Sequence, residues 1–280
     1  MDQGMSKGLL KSGARAVLNL SQYPIDELGS QKMTGKMNEW RRAYSEEGMC
    51  IVPNFVLSEG VEALVREASE LLPIMYQHEV TGNAYLSAVD ETVPEDHPLR
   101  RTEKTRTSTI ACDQIPVAAA LRQIYESPAM DELVRNIVSA DEIFHYQCSM
   151  GAVNVAVMEE GDYLRWHFDQ SEFVVSIHLQ DPEGGGDYEY VRGIRSEDDP
   201  NYDGVRSVLA GDRNGVEKLQ TVPGSLLVFR GKNTIHRVTP VRGKKPRLVL
   251  LFGYALNEGV CSSDFLLKMR YGRTTAWNPA

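Results

Sequence analysis

The feature that most constrains this chain is a change of texture near residue 143. From there to residue 254 the sequence runs as short apolar stretches, among them residues 151–158, 173–179, 188–191, 225–229 and 248–254. Between them stand turn-forming groups: Glu159-Glu160-Gly161-Asp162, Asp181-Pro182-Glu183-Gly184-Gly185-Gly186, Pro223-Gly224 and Arg242-Gly243-Lys244. Many short apolar runs punctuated in this way point to a β-sandwich or barrel. Residues 195–218, rich in Asp, Gly, Asn and Arg, read as an insertion between two strands.

Upstream the period is different. Residues 33–47 carry charged and apolar residues at helical spacing and stop at Gly48, which suits the left-handed turn that ends helices. Cys50-Ile51-Val52 reads as a short buried strand ended by Pro53-Asn54. Ser58 opens a second helix through Val61, Leu64, Val65, Ala68, Leu71 and Leu72. Residues 115–127 and 131–138 suggest two further helices, broken at Ser127-Pro128. Between them, residues 77–114 lose periodicity and carry a basic, hydroxyl-rich run at 100–109; a stretch this long reads as an active-site loop or cover. Residues 1–30 read as a partly ordered leader. The expected architecture is one α+β domain over residues 31–280. Its helical part, 31–140, packs on one face of an all-β core, 143–256, and an extension follows at 257–280.

The formal net charge of -9 argues against a nucleic-acid or anionic-membrane binder, because both need a basic footprint. A local basic pocket for a small anion stays open. No apolar run approaches the ~20 residues of a membrane span, and the N-terminal basic residues lack the apolar core of a signal peptide. The four cysteines, Cys50, Cys112, Cys148 and Cys261, are scattered without metal or disulfide spacing, so they read as reduced thiols. Together these features point to a cytoplasmic protein, monomer or homodimer.

The chemistry is concentrated in Trp166-His167-Phe168-Asp169. On a strand, residues two apart project to the same face, so His167 and Asp169 point together. A third ligand must come from elsewhere. Among His78, His97, His145, His178 and His236, the last has the best context, because it follows a turn and strand at residues 223–230 and precedes another strand pair. Two imidazoles and one carboxylate on one face of an octahedron leave three positions open. That suits a non-haem iron(II) and not a structural zinc, which wants a closed tetrahedron. Taken alone, His167 and Asp169 read equally as a hydrogen-bonded pair, and a cupin-like metal-binding module without turnover is the non-enzymatic alternative. His145 and Cys148 read as core residues. Gly184-Gly185-Gly186 lacks the Lys-Ser/Thr and following helix of a phosphate loop.

After His236 the chain continues Arg237-Val238-Thr239-Pro240-Val241-Arg242-Gly243-Lys244-Lys245-Pro246-Arg247 and then the apolar run 248–254. With the His-x-Asp pair and the strand at 223–229, this resembles the iron(II)- and 2-oxoglutarate-dependent oxygenases, in their prolyl-hydroxylase-like and phytanoyl-type branches. The motifs span residues 143–256, and residues 46–55 look like the family's N-terminal entry. The resemblance implies a double-stranded β-helix (jelly-roll, cupin-like) core and an iron(II) site made by His167, Asp169 and His236. It implies 2-oxoglutarate as co-substrate, dioxygen as oxidant and ascorbate as a supporting reductant.

By position, Arg247 matches the arginine that forks onto the distal carboxylate of 2-oxoglutarate. Arg242 is a second candidate that reads equally as a turn charge. Thr239 either adds a hydroxyl to that carboxylate or serves its turn. Asn154 either binds the keto-acid end or makes a buried structural hydrogen bond. His178 sits where related enzymes place a polar residue against the co-substrate. For the substrate, the candidates are Trp166, Arg101 from the basic loop, and the pair Tyr188 and Tyr190, with Glu189 between them as the alternative to face the cavity.

The implied reaction couples conversion of 2-oxoglutarate to succinate and carbon dioxide with hydroxylation of an unactivated carbon. Radical halogenases resemble this pattern but carry Gly or Ala where Asp169 stands, leaving room for chloride. The retained carboxylate points to hydroxylation, with desaturation or cyclisation open to the same residues. The expected substrate is a small polar molecule, a free amino acid or natural-product intermediate; a peptidyl or protein substrate is the second choice.

Overall fold

In the computed structural model, which describes residues 10–276, the helices come first and stack on the back of a sheet. They are α1 (Ser12–Val17), α2 (Gln31–Glu47), α3 (Ser58–Leu71), α4 (Ala120–Tyr125) and α5 (Pro128–Val138). Each buries one stripe. In α2 the stripe is Met33, Met37, Trp40 and Tyr44, and the helix ends at Gly48 in the left-handed conformation expected for it. In α5, Pro128 sits in the first turn, and Met130, Leu133, Val134 and Ile137 recur at helical spacing. Gly60 of α3 lets α1 approach closely: a side-chain carbon there would lie 2.5 Å from the Val17 carbonyl oxygen.

The strands are β1 (Met49–Val52), β2 (Tyr76–Gly82), β3 (Glu103–Ile110), β4 (Phe144–His145), β5 (Val153–Met158), β6 (Leu164–His167), β7 (Val174–Gln180), β8 (Gly184–Gly185) and β9 (Tyr188–Val191). After α6 (Tyr202–Leu209) come β10 (Glu217–Lys218), β11 (Leu226–Phe229), β12 (Ile235–Val238), β13 (Val241–Arg242), β14 (Arg247–Phe252) and β15 (Tyr254–Ala255), and then α7 (Asp264–Tyr271). Seven strands form one sheet in the order β1-β11-β7-β14-β5-β3-β2, and four form a second in the order β10-β9-β12-β6.

Alternation along the strands sorts the side chains into layers. On the major sheet, Val153, Val155, Val157, Val175, Ile177, Leu179, Leu226, Val228, Leu248 and Leu250 face the helices and form one core with them. The other face of that sheet meets the minor sheet. Met49, Leu227 and Phe229 pack there against Tyr190, and Met158 packs against Val238. Outside the minor sheet, Trp166, Phe168 and Ile235 are covered by Val205, Val208 and Leu209 of α6. The result is the double-stranded β-helix that the sequence led us to expect, with helices on one face.

One expectation is corrected and two gain detail. Within the partly ordered leader expected at residues 1–30, residues 10–30 are ordered, and Ala14, Val17, Leu18, Tyr23 and Ile25 are buried in the helical core, while residues 1–9 lie outside the described residues. Residues 77–114 are not one long loop, because β2 and β3 pair over their full lengths and extend the major sheet through β5. The insertion at 195–218 contains α6, whose apolar stripe closes the outer face of the minor sheet. No helix among the described residues is long and apolar enough to cross a membrane.

Candidate metal centre

The minor sheet brings the proposed ligands together through its register. His236 of β12 lies directly opposite His167 of β6, and the next pair, Val238 with Leu164, is out of step by one residue. That irregularity is a β-bulge on β6, a device that re-aims side chains next to functional sites. Beyond β6 the Asp169 N–H donates to the Gly231 carbonyl oxygen at 3.1 Å, which ties the carboxylate's segment to the turn before β12. A side-chain carbon at position 231 would lie 1.7 Å from Asp169 Oδ2, so only glycine leaves the carboxylate its place.

Each imidazole is held the same way. His167 Nδ1 donates to the Arg165 carbonyl oxygen at 3.0 Å, and His236 Nδ1 donates to the Thr234 carbonyl oxygen at 2.9 Å. Both Nε2 atoms are thereby left as lone pairs, each 3.6 Å from Asp169 Oδ1. One ligand atom from each of the three residues lies within 4.8 Å of the others. Burial, reinforced by His236, lowers the His167 imidazole below its ordinary value. Burial pushes the Asp169 carboxyl up, but His236 and His167 outweigh it and hold the group well below the usual carboxylate range. A His167 that gives up its proton readily and an ionised Asp169 suit binding of a divalent cation. The donor set therefore fits an iron(II) ion on one face.

The remaining sequence candidates fall into two groups. Arg247, the first residue of β14, is half-buried near Tyr188, Asp181 and Asp187, and desolvation lowers its guanidinium from the ordinary value. Among the described residues no carboxylate lies within ion-pair distance of it. Gly186 makes room for its stem, since a side-chain carbon there would be 3.2 Å from Arg247 Cδ. Tyr188 stacks on His236 with ring centres 5.3 Å apart. Burial raises its hydroxyl, and it feels both Asp169 and Arg247, so it stands between the metal triad and the arginine. His178 hydrogen-bonds Thr221 Oγ1 through Nδ1 at 3.1 Å, its Nε2 lies 3.0 Å from Asp181 Oδ1, and Arg247 is a further charged neighbour.

The others stand elsewhere. Arg242 is exposed on β13, with its side chain lying along Gly184. The Thr239 hydroxyl accepts the Asp187 N–H at 2.9 Å, which is the turn role. Asn154 is engaged at both ends: Nδ2 donates to the Gly151 carbonyl oxygen, and Oδ1 accepts the Tyr271 hydroxyl at 2.7 Å. Trp166 faces away from the ligands, under α6, with the Arg237 guanidinium 4.8 Å from its ring centre. Arg101 is paired with Glu103 at 3.0 Å. The ring of Tyr190 lies between the sheets, but its hydroxyl donates to Glu217 at the sheet edge. Glu189 turns outward to Arg213 and Arg237, so the tyrosines take the inner face.

Sequence reasoning missed two groups near the triad. One is Gly231. The other is Arg165, buried at 7% exposure two residues before His167; its spacing from His167 was the available signal. The loop at 83–102 also reaches the site's outer side, where the Phe168 N–H donates to the Ala84 carbonyl oxygen at 2.8 Å.

The sequence matches the halogenase D family over residues 33–265. No curated protein matches it in sequence. Among solved structures it is similar to the non-haem α-ketoglutarate-dependent epimerase SnoN from nogalamycin biosynthesis, at 14% identity and TM-score 0.53, covering 79% of this chain and 81% of that one. The carbocyclase SnoK from the same biosynthesis matches at 15% identity and TM-score 0.53, covering 77% and 82%. HygX from Streptomyces hygroscopicus, with nickel, 2-oxoglutarate and hygromycin B bound, matches at 15% identity and TM-score 0.52, covering 78% and 86%. The chain thus belongs to the halogenase D family, on the fold of the iron(II)- and 2-oxoglutarate-dependent oxygenases.

Proposed function

We propose that the protein is an iron(II)- and 2-oxoglutarate-dependent hydroxylase acting on a small polar molecule, a free amino acid or natural-product intermediate. The observation that carries this reading is one arrangement: the His167, Asp169 and His236 triad, with the half-buried guanidinium of Arg247, which has no carboxylate partner among the described residues, beyond Tyr188. A partly desolvated cation without a partner is costly unless an anion completes it. A dicarboxylate whose keto-acid end binds the metal and whose distal carboxylate meets Arg247 would satisfy both ends. Two structures sharing the fold hold 2-oxoglutarate beside a metal, which supports the pairing.

His167, Asp169 and His236 would hold the iron and leave three positions for the co-substrate and dioxygen. When bound, iron(II) with 2-oxoglutarate and dioxygen supplies an oxidant able to take hydrogen from an unactivated carbon, releasing succinate and carbon dioxide. The chain's own part is to fix geometry and exclude water. The backbone carbonyls of Arg165 and Thr234 set the imidazole tautomers. Tyr188, stacked on His236, walls the site toward Arg247.

Asp169 favours oxygen transfer over halide transfer. Its carboxylate fills the place where the halogenating relatives have Gly or Ala, and Gly231 is shaped around it. The test is anaerobic addition of iron(II) and 2-oxoglutarate to the folded protein. A weak visible charge-transfer band is expected, and its absence from metal-loaded protein would sink the proposal.

A further inference from the structure

Two of the four cysteines meet just ahead of α7. Cys148 is buried, Cys261 is exposed, and the two side chains lie within hydrogen-bonding reach of each other. The backbone holds them there. The Gln147 N–H donates to the Val260 carbonyl oxygen at 3.0 Å, so the residues immediately before the two cysteines are joined. Cys148 is itself fixed by the turn into β5, where its carbonyl oxygen accepts the Gly151 and Ala152 N–H groups. The other two cysteines, Cys50 and Cys112, belong to the helical core. A disulfide forms between side chains that already approach each other. One exposed and one buried thiol also divide the work: the exposed sulfur meets the oxidant, and the buried sulfur completes the bond.

The place of the pair gives such a bond something to hold. At its far end α7 is anchored: the Tyr271 hydroxyl donates to Asn154 Oδ1, and Arg273 pairs with Asp113 at 2.7 Å. Its near end is reached through residues 256–263, which are mostly exposed. Among the described residues, the backbone hydrogen bond from Gln147 is what ties this segment to the body of the fold. Cys261 stands just ahead of Ser263, which caps α7. Cys148 packs with Ala111, Met150, Leu267 and Tyr271, the cluster on which the helix rests. The helix also bears on the metal centre, because its Arg270 acts on Tyr146, and Tyr146 feels Asp169 as well.

We infer that Cys148 and Cys261 form a reversible dithiol–disulfide couple, a redox modification site that takes a small-molecule disulfide as its oxidant and fastens the start of α7 to the turn before β5. With glutathione disulfide, the Cys261 thiolate attacks one sulfur, breaks the S–S bond and releases one glutathione thiolate. The Cys148 thiolate then attacks the Cys261 sulfur and expels the second glutathione. The two protein thiols give their protons to the departing thiolates. The cysteine pair loses two electrons, and the glutathione disulfide gains them. Partial burial, and then the neighbouring Cys148, raise the Cys261 thiol above its ordinary value, so the first step quickens as pH rises. A thiol reductant reverses both steps.

The experiment incubates the full chain under nitrogen, with iron(II) and 2-oxoglutarate present, with oxidised glutathione at about pH 8.5, near the ordinary thiol value. The intact mass should fall by two hydrogen atoms, and peptide mapping should place the bond between Cys148 and Cys261. Dithiothreitol should restore the mass. In the oxidised protein, amide exchange across Asp264–Tyr271 should slow about 10-fold, and Tm should rise by about 5 °C. Cys261→Ser should gain no bond and exchange as the reduced wild-type protein does. Cys148→Ser should stop at a glutathione adduct on Cys261. The inference is overturned if all four thiols stay free, if glutathione stays on Cys261 of the wild-type protein, or if the bond joins another pair. It is overturned equally if exchange in α7 is the same in both redox states. If Cys148→Ser does not fold, the mapped wild-type bond and Cys261→Ser still decide.

Discussion

At the scale of single residues, the site depends on how little space surrounds Asp169. Position 231 has no room for a side chain while the carboxylate occupies its present place. Gly231→Ala should therefore displace Asp169 and weaken iron(II) binding by about 10- to 100-fold, the usual range for residues that orient ligands. Asp169→Ala should weaken it as well and abolish the release of succinate from 2-oxoglutarate. The double variant should bind iron no worse than Asp169→Ala, because the clash vanishes with the carboxylate. Additive losses in an iron titration would refute the packing argument. The protonation states add a second expectation. His167 lies below the ordinary histidine value of 6.5 in the folded protein, so the folded site refuses a proton that the unfolded chain accepts. Stability and metal binding are then complete above that value and are lost on acidification below it. Equilibrium dialysis from pH 8 to 5 should show flat iron occupancy down to about pH 6.5 and a fall beneath it; a fall already under way at pH 7.5 would contradict the lowering of His167.

At the scale of elements, α7 and the β2–β3 pair show why a strand address alone did not give every residue its role. Asn154 stands on the inner face of β5, as a co-substrate ligand should, yet its acceptor is taken by Tyr271 from a helix over a hundred positions later. Tyr271→Phe should leave Asn154 Oδ1 unsatisfied and destabilise the fold by about 1 kcal/mol. Amide exchange should quicken across Asp264–Tyr271, and the iron–2-oxoglutarate band should persist. A variant with wild-type exchange in α7 would show that the hydrogen bond does not anchor the helix. The β2–β3 pair was illegible for another reason. β2 alternates between exposed and half-buried residues, two of the three residues that β3 buries, Thr105 and Ser108, are polar, and charged partners such as Lys104 and Glu79 face across the strands, so no apolar period marks them. The bulge on β6 is equally silent in sequence, whereas ordinary alternation puts Trp166 under α6 and leaves His167 in the cavity. The triad, by contrast, was legible because ligand chemistry restricts residue type and same-face spacing together. Gly48 was legible because its left-handed backbone excludes most other residues.

At the scale of the whole molecule, the layering was legible from the switch between helical and strand periods near residue 143. The burial of residues 10–30 was not, because their apolar residues follow no period and find their partners in α2, α4 and α5. Fold and chemistry are nevertheless joined at one point, the direct pairing of His167 with His236. His236 is roughly 70 positions from His167 in the chain, so adding the third ligand to the local pair of His167 and Asp169 means closing a long loop. A newly made chain thus offers iron two neighbouring ligands at most, and capture by all three reports that the distant strand contacts have already formed.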